Sequence, residues 1–80
     1  MVSVIAAYIL LQAEAGQAAI VVTALRHVPG VLETASLAGP CDVIARAQPQ
    51  DIDELARLVA SRAQALDGVR QTMTCPVVHL

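Results

Sequence analysis

Phenylalanine and tryptophan are absent from the 80 residues, and Tyr8 is the only aromatic. Any core must therefore be built from Ala, Val, Leu and Ile. Lysine is absent too: five arginines stand against seven acids, for a net charge of −2. No basic run exists, and the arginines do not interleave with aromatics. This excludes direct nucleic-acid binding, whose affinity comes mostly from neutralising phosphates. Long hydrophobic runs are missing. The run Val4 to Leu11 is eight residues, against the ~20 that a membrane-spanning helix needs, so no membrane partner is expected. Ala13-Glu14-Ala15 after it mimics a signal-peptidase site, but no Lys or Arg precedes the run, as a secretory leader would require. Cysteine is scarce. Cys41 and Cys75 lack metal-type spacing, and nothing secretory supports a disulfide; the expectation is two reduced thiols in a cytoplasmic protein.

Catalytic signatures are missing as well. No G-x-S-x-G, H-E-x-x-H, C-x-x-C or phosphate-binding glycine loop is present. Ser3, Ser36 and Ser61 have no base at a defining spacing. His27 ends a candidate helix and His79 is penultimate, so both read as ordinary helix-end or surface residues. A metal cluster of Cys41, Cys75 and His79 would need three distant positions to converge. The expectation is a protein that is not an enzyme and has neither cofactor nor metal.

What the chain does have is aliphatic surface. Apolar residues are 56% of the chain, above the roughly 45–50% of an average soluble domain. A single domain this small buries only about 60% of its unfolded surface. The surplus points to an oligomer.

The pattern of elements is short and regular. Ser3 to Gln12 is strand-like and apolar on both alternating sets. Gln17 to His27 fits a helix with a stripe of Ile20, Ala24 and Val28, flanked by Val21 and Leu25, and Pro29-Gly30 ends it. Val31 to Leu37 reads as a second strand, Ala38-Gly39-Pro40 as a tight connection and Asp42 to Gln48 as a third strand. Asp51 caps a second helix, with Glu54 three residues on as in a capping box. Ile52, Leu55, Leu58 or Val59, Ala63 and Leu66 form its stripe, and Asp53 and Arg57 are spaced for an ion pair. Gly68 stops it. Val69 to Val78 is the last strand, where Pro76 demands an edge or a bulge.

The order is β-α-β-β-α-β, the ferredoxin-like arrangement of the α+β class. Four antiparallel strands carry both helices on one face, because right-handed crossovers put them there. The sequence writes the helix-to-strand junction twice, as Gly30-Val31-x-x-Thr34 and Gly68-Val69-x-x-Thr72. In each, glycine takes the left-handed conformation that closes a helix. A bare sheet face normally alternates to polar, yet in the first strand Val2, Val4, Ala6, Tyr8 and Leu10 share one side and Ser3, Ile5, Ala7, Ile9 and Leu11 the other. A second copy, sheet to sheet across a two-fold axis, is the expected cover.

Two stretches are candidates for binding. In Ala38 to Asp42, Gly39 and Pro40 leave backbone amides free at a strand junction, with Cys41 and Asp42 following. Amides can hold a carboxylate and Asp42 an ammonium, which together suit a free amino acid; the same residues also suit a plain hairpin turn. Thr72 and Thr74 are two apart, so both hydroxyls leave one face of the last strand. Thr is also common in strands for steric reasons alone.

At this point the chain resembles a known family. Pro29-Gly30-Val31, Gly39-x-x-Asp42 before an aliphatic strand, and Gly68-Val69-x-x-Thr72-x-Thr74 resemble the effector-binding domain (RAM domain) of the Lrp/AsnC transcription regulators. Residues 1–80 would be a single such domain. The resemblance implies a dimeric α/β sandwich, assembly of dimers into octamers or similar rings, and an amino-acid effector bound between dimers. It places Gly39, Pro40, Cys41 and Asp42 in the effector loop, and Thr72 and Thr74 in a threonine pair that often comes from a neighbouring subunit. Regulators of the family carry a helix-turn-helix domain first, whereas this sequence starts at the effector domain and so looks like the stand-alone type, with a full-length regulator as a possible partner. A tyrosine is usual where Cys41 stands; the thiol leaves a smaller, less polar wall. Two rival readings share the topology. One is a small dimeric enzyme of the isomerase or cofactor-free oxygenase type, with a pocket between sheet and helices. The other is an ACT-like sensor, whose ligand-loop glycine would fall at Ala15-Gly16.

Overall fold

A computed structural model describes residues 5–78. The elements run β1 (Ala7–Ala13), α1 (Ala18–Leu25), β2 (Val31–Ser36), β3 (Val43–Ala47), α2 (Ile52–Leu58), continued by a π-helical turn (Val59–Ala63), and β4 (Val69–Pro76). The strands form one antiparallel sheet in the order β2-β3-β1-β4. This is the expected ferredoxin-like βαββαβ fold. Each crossover skips a strand, so β1 and β3 lie in the centre. β4 is an edge, and Pro76 sits at its last paired position, opposite Ala7, where a missing amide costs the ladder little. The start of the expected first strand, Ser3 and Val4, lies outside the described residues.

The core is aliphatic throughout. Ala7, Ile9 and Leu11 of β1 alternate toward the helices, beside Val43, Ala45 and Ala47 of β3. Val21, Val22 and Leu25 of α1 and Leu55, Leu58, Val59 and Ala63 of the second helical segment close over them. The alanines leave room for the helices to approach without any large ring.

The second helix buries Leu55, Leu58, Val59 and Ala63 of its expected stripe and leaves only Ile52 out, whereas the first helix departs from its stripe. Ile20 is 55% exposed and Ile52 57% exposed. α1 instead buries Val21, Val22 and Leu25, so the flanking Val21 and Leu25 face inward in place of Ile20, while Val28, past its end, is buried as expected. Thr34 helps hold that face, its hydroxyl donating to the Val22 carbonyl. The second helix does not stay α-helical to Leu66. From Val59 it widens, and the Gln64 amide donates to the Val59 carbonyl five residues back, at 2.9 Å. Its start follows the capping expectation: Asp51 Oδ1 accepts from the Glu54 amide at 2.8 Å, while Glu54 Oε2 accepts from Gln50, one residue before the cap. The expected Asp53–Arg57 ion pair is not formed; among the described residues Arg46 and Glu33 make the ion pair, across β2 and β3.

The two glycine junctions are equivalent in the fold. Gly30 has φ +95° and Gly68 φ +89°, values that side chains rarely adopt. Each also backs onto the other half of the molecule. A Cβ on Gly30 would stand 2.9 Å from Leu58 Cδ1 of α2, and one on Gly68 would stand 3.1 Å from Gln17 Cβ, at the start of α1.

Candidate functional site

The β2–β3 connection carries the first group of candidates. Asp42 is the knot that ties it to the sheet. Its amide donates to the Leu11 carbonyl at 2.9 Å, its carbonyl accepts from the Leu37 amide at 2.8 Å, and its Oδ2 accepts from the Ala13 amide at 2.9 Å. The side chain thus holds the last residue of β1, and Oδ1 has no hydrogen-bond partner among the described residues. Gln12 Nε2 donates to the Pro40 carbonyl at 3.2 Å and anchors the loop from β1. The amides of Ala38, Gly39 and Cys41 have no hydrogen-bond acceptor among the described residues. The loop therefore presents free N–H groups and one free carboxylate oxygen, the two kinds of group that a zwitterion needs.

Gly39, Pro40 and Cys41 line a hollow of about 370 Å³ together with Leu10, Leu37, Ala38 and Met73. Asp42 is not among its lining residues. Leu10 and Met73 are cross-strand partners on the sheet face that carries no helix.

The threonines lie elsewhere. Thr72 pairs with Leu11 and Thr74 with Ile9, so both hydroxyls leave one face, as expected, and that face is the helix-bearing one. Thr72 Oγ1 accepts from Gln64 Nε2 at 3.0 Å, a bond made from just beyond the π-helical turn. Thr72 and Cys41 border one narrow cleft of about 30 Å³. Thr74 instead lines an apolar groove beside Ile52, Leu55, Val59 and Pro76. Within one chain the loop and Thr72 are neighbours, and Thr74 is apart from both. Thr34, the counterpart in the first repeat, is tied to α1 through Val22 and Arg26.

Leu10, Gln12, Leu37 and Met73 were not singled out from the sequence as site residues. Gln12 had a signal: it is the one amide side chain in an aliphatic strand. Leu37 had none, because it reads as the end of β2.

Cys41 and Cys75 are unpaired thiols. No cluster of three or more His, Cys, Asp or Glu side chains suited to a metal occurs among the described residues, and His79 lies outside them. No helix among the described residues is long and apolar enough to cross a membrane.

No curated protein matches the chain. Solved structures do. TTHA0845 from Thermus thermophilus is 28% identical with a TM-score of 0.88, over 95% of each chain. AsnC from E. coli superposes with a TM-score of 0.87 at 18% identity, over 95% of this chain and 52% of that one. The transcriptional regulator NMB0573 from Neisseria meningitidis, solved as a complex with L-Met, gives 0.82 at 22% identity, over 94% of this chain and 50% of that one. At such identities the last two likenesses are of fold. The family model described as the Lrp/AsnC ligand binding domain matches residues 6–79, nearly the whole sequence, and the chain belongs to that family.

Proposed function

We propose that this domain is a sensing and assembly module, which binds an amino-acid effector at the Gly39–Asp42 loop and works through homo-oligomers in the cytoplasm. The observation that carries the reading is the loop itself: unpaired amides at Ala38, Gly39 and Cys41, with the free Oδ1 of Asp42 one residue on. The regulator from N. meningitidis, with the same fold, was solved with L-Met, which supports an effector of that class. Thr72 and Thr74 complete the site from a neighbouring subunit, since within one chain only Thr72 comes near the loop. The uncovered sheet face, with Tyr8, Leu10, Ile44, Met73 and Cys75 on its central and edge strands, is the dimer interface, and dimers assemble further into a ring. The output is modulation of transcription or amino-acid metabolism, including co-assembly with a full-length Lrp/AsnC regulator, and not direct DNA contact or catalysis.

Thermal-shift and calorimetric titration with the twenty amino acids tests the sensing role. At least one should stabilise the chain at millimolar concentration, as a ligand bound only to the folded state must. Asp42→Asn keeps an oxygen for the Ala13 amide and removes the charge, so it should abolish the effect without unfolding the protein. No shift with any amino acid would end this reading.

A further inference from the structure

The repeated junction extends beyond its glycine, valine and threonine. Arg26 stands eight residues before Thr34, and Gln64 eight residues before Thr72. Each donates to the threonine oxygen, Arg26 Nε at 3.2 Å and Gln64 Nε2 at 3.0 Å. The two copies then differ. Thr34 donates its own proton to the Val22 carbonyl, twelve residues back, so its hydroxyl both accepts and donates within the chain. Twelve residues before Thr72 stands Ala60, inside the π-helical turn. Thr72 makes no bond to that carbonyl, nor to any other acceptor among the described residues.

The helical turn is what separates the copies. In α1 the Arg26 amide donates to the Val22 carbonyl four residues back, and Thr34 shares that oxygen. In the second segment the Gln64 amide passes over Ala60 and reaches Val59, so Ala60 does not repeat the place of Val22. A hydroxyl has one proton and two lone pairs. Gln64 occupies a lone pair of Thr72 and fixes the oxygen, and the proton is left over. We infer that Gln64 is a positioning residue, and the π-helical turn the device, that together leave the Thr72 hydroxyl free to donate to the carboxylate of an effector bound at a neighbouring subunit's Gly39–Asp42 loop. This deepens the reading of that loop as an amino-acid site and rests on it. A carboxylate accepts at about four lone-pair sites, so the loop amides and one hydroxyl can share it. π-helical turns of this kind recur at functional sites, whereas one exposed neutral hydrogen bond adds little to stability.

Calorimetry on the intact chain with the twenty amino acids tests the inference. Thr72→Val keeps the shape, removes the hydroxyl and should weaken the best binder at least tenfold. Gln64→Glu presents an oxygen that takes the Thr72 proton and should do the same. Gln64→Arg copies the first repeat and keeps a donor, so it should bind at least as well as the wild type. In the Thr72→Val background Gln64→Glu should add no further loss. Gln64 is exposed, so its variants should fold, which circular dichroism checks; should Thr72→Val prove unfolded, Thr72→Ala replaces it. Full affinity in Gln64→Glu beside a loss in Thr72→Val, or equal losses in Gln64→Glu and Gln64→Arg, would overturn the role of Gln64 and leave the amino-acid reading standing. A further loss from Gln64→Glu in the Thr72→Val background would mean that Gln64 acts on the ligand directly and would overturn the positioning role. Full affinity in every variant would overturn the inference and remove Thr72 from the site, with the loop still tested by Asp42→Asn. Absence of binding by the wild type would end both readings.

Discussion

On β1, neighbouring residues meet opposite fates. Ile9 and Leu11 are fully buried beneath the helices, whereas Tyr8 is 39% exposed and Leu10 half-buried on the side that no helix covers. Their chemistry barely differs. The helix face is finished within one chain, and the other face is not. On that second face Leu10 pairs with Ile44 and Met73, while Tyr8 pairs with Arg46 and Cys75, so an apolar centre is framed by a little polarity. Equal hydrophobicity on both sides of a strand therefore does not tell the two faces apart, and the fold shows that only one of them is covered from within.

The largest consequence should come from the finished face. Leu11→Ala removes a fully buried side chain from the central strand and should cost about 2–5 kcal/mol, a large fraction of the stability of a domain this small. Denaturant unfolding of Leu11→Ala and Leu10→Ala side by side checks the contrast. Under conditions where the chain is monomeric, Leu10→Ala should lose far less. Equal losses would break the distinction between the faces.

Next comes the unfinished face. Met73→Glu should leave the helical and strand signal of the chain intact and shift its mass toward the monomer in size-exclusion chromatography with light scattering, because covering this face with a second copy would bury an unpaired charge. A wild-type chain that runs as a monomer of 8.3 kDa would show that the exposed face needs no second copy.

The glycine junctions sit at the edge of the helix layer and sharpen the same contrast. Gly30→Ala forces a side chain into φ +95° and against Leu58 Cδ1 at 2.9 Å, and Gly68→Ala does so at φ +89° against Gln17 Cβ at 3.1 Å. Each should cost about 1–2 kcal/mol from the backbone alone, readable as a lower denaturation midpoint. Leu58 Cδ1 is the end of a flexible side chain and Gln17 Cβ is close to backbone, so Gly68→Ala should be the worse of the two.

The order of elements, both junctions, the capping box and the shared face of Thr72 and Thr74 were all legible, because each follows from local periodicity or one special backbone angle. The buried face of α1 was not, whereas that of the second helix was, apart from Ile52. Ile20 and Val21 are equally apolar neighbours, and which one points inward is decided by how α1 rolls on the sheet, a matter of Thr34 and Gly68 rather than of the helix. The π-helical turn was also hidden. It keeps Val59 and Ala63 inward while aiming Gln64 at Thr72, and Val-Ala-Ser-Arg-Ala carries no mark of it. At the candidate site the Gly39–Asp42 loop was visible as chemistry, but its apolar wall is assembled from β1, the end of β2 and β4, which meet only in three dimensions. Sequence spacing says nothing about which face of a sheet a loop leans over.

The smallest expected effect is the most discriminating. Arg46 Nη2 and Glu33 Oε1 stand 2.6 Å apart on the helix-free face, with side chains 34% and 69% exposed. As an exposed pair in an isolated chain it should be worth no more than about 1 kcal/mol, so Glu33→Gln should barely move the melting temperature of a monomer. If a second copy closes over this face, the same substitution leaves Arg46 desolvated without its partner, and the cost rises several-fold. Glu33→Gln should then weaken association in a dilution series while leaving monomer stability nearly unchanged. An equal, small effect on both would mean that the pair stays in water, and that the covered part of the face is confined to the side of β1 that meets β4.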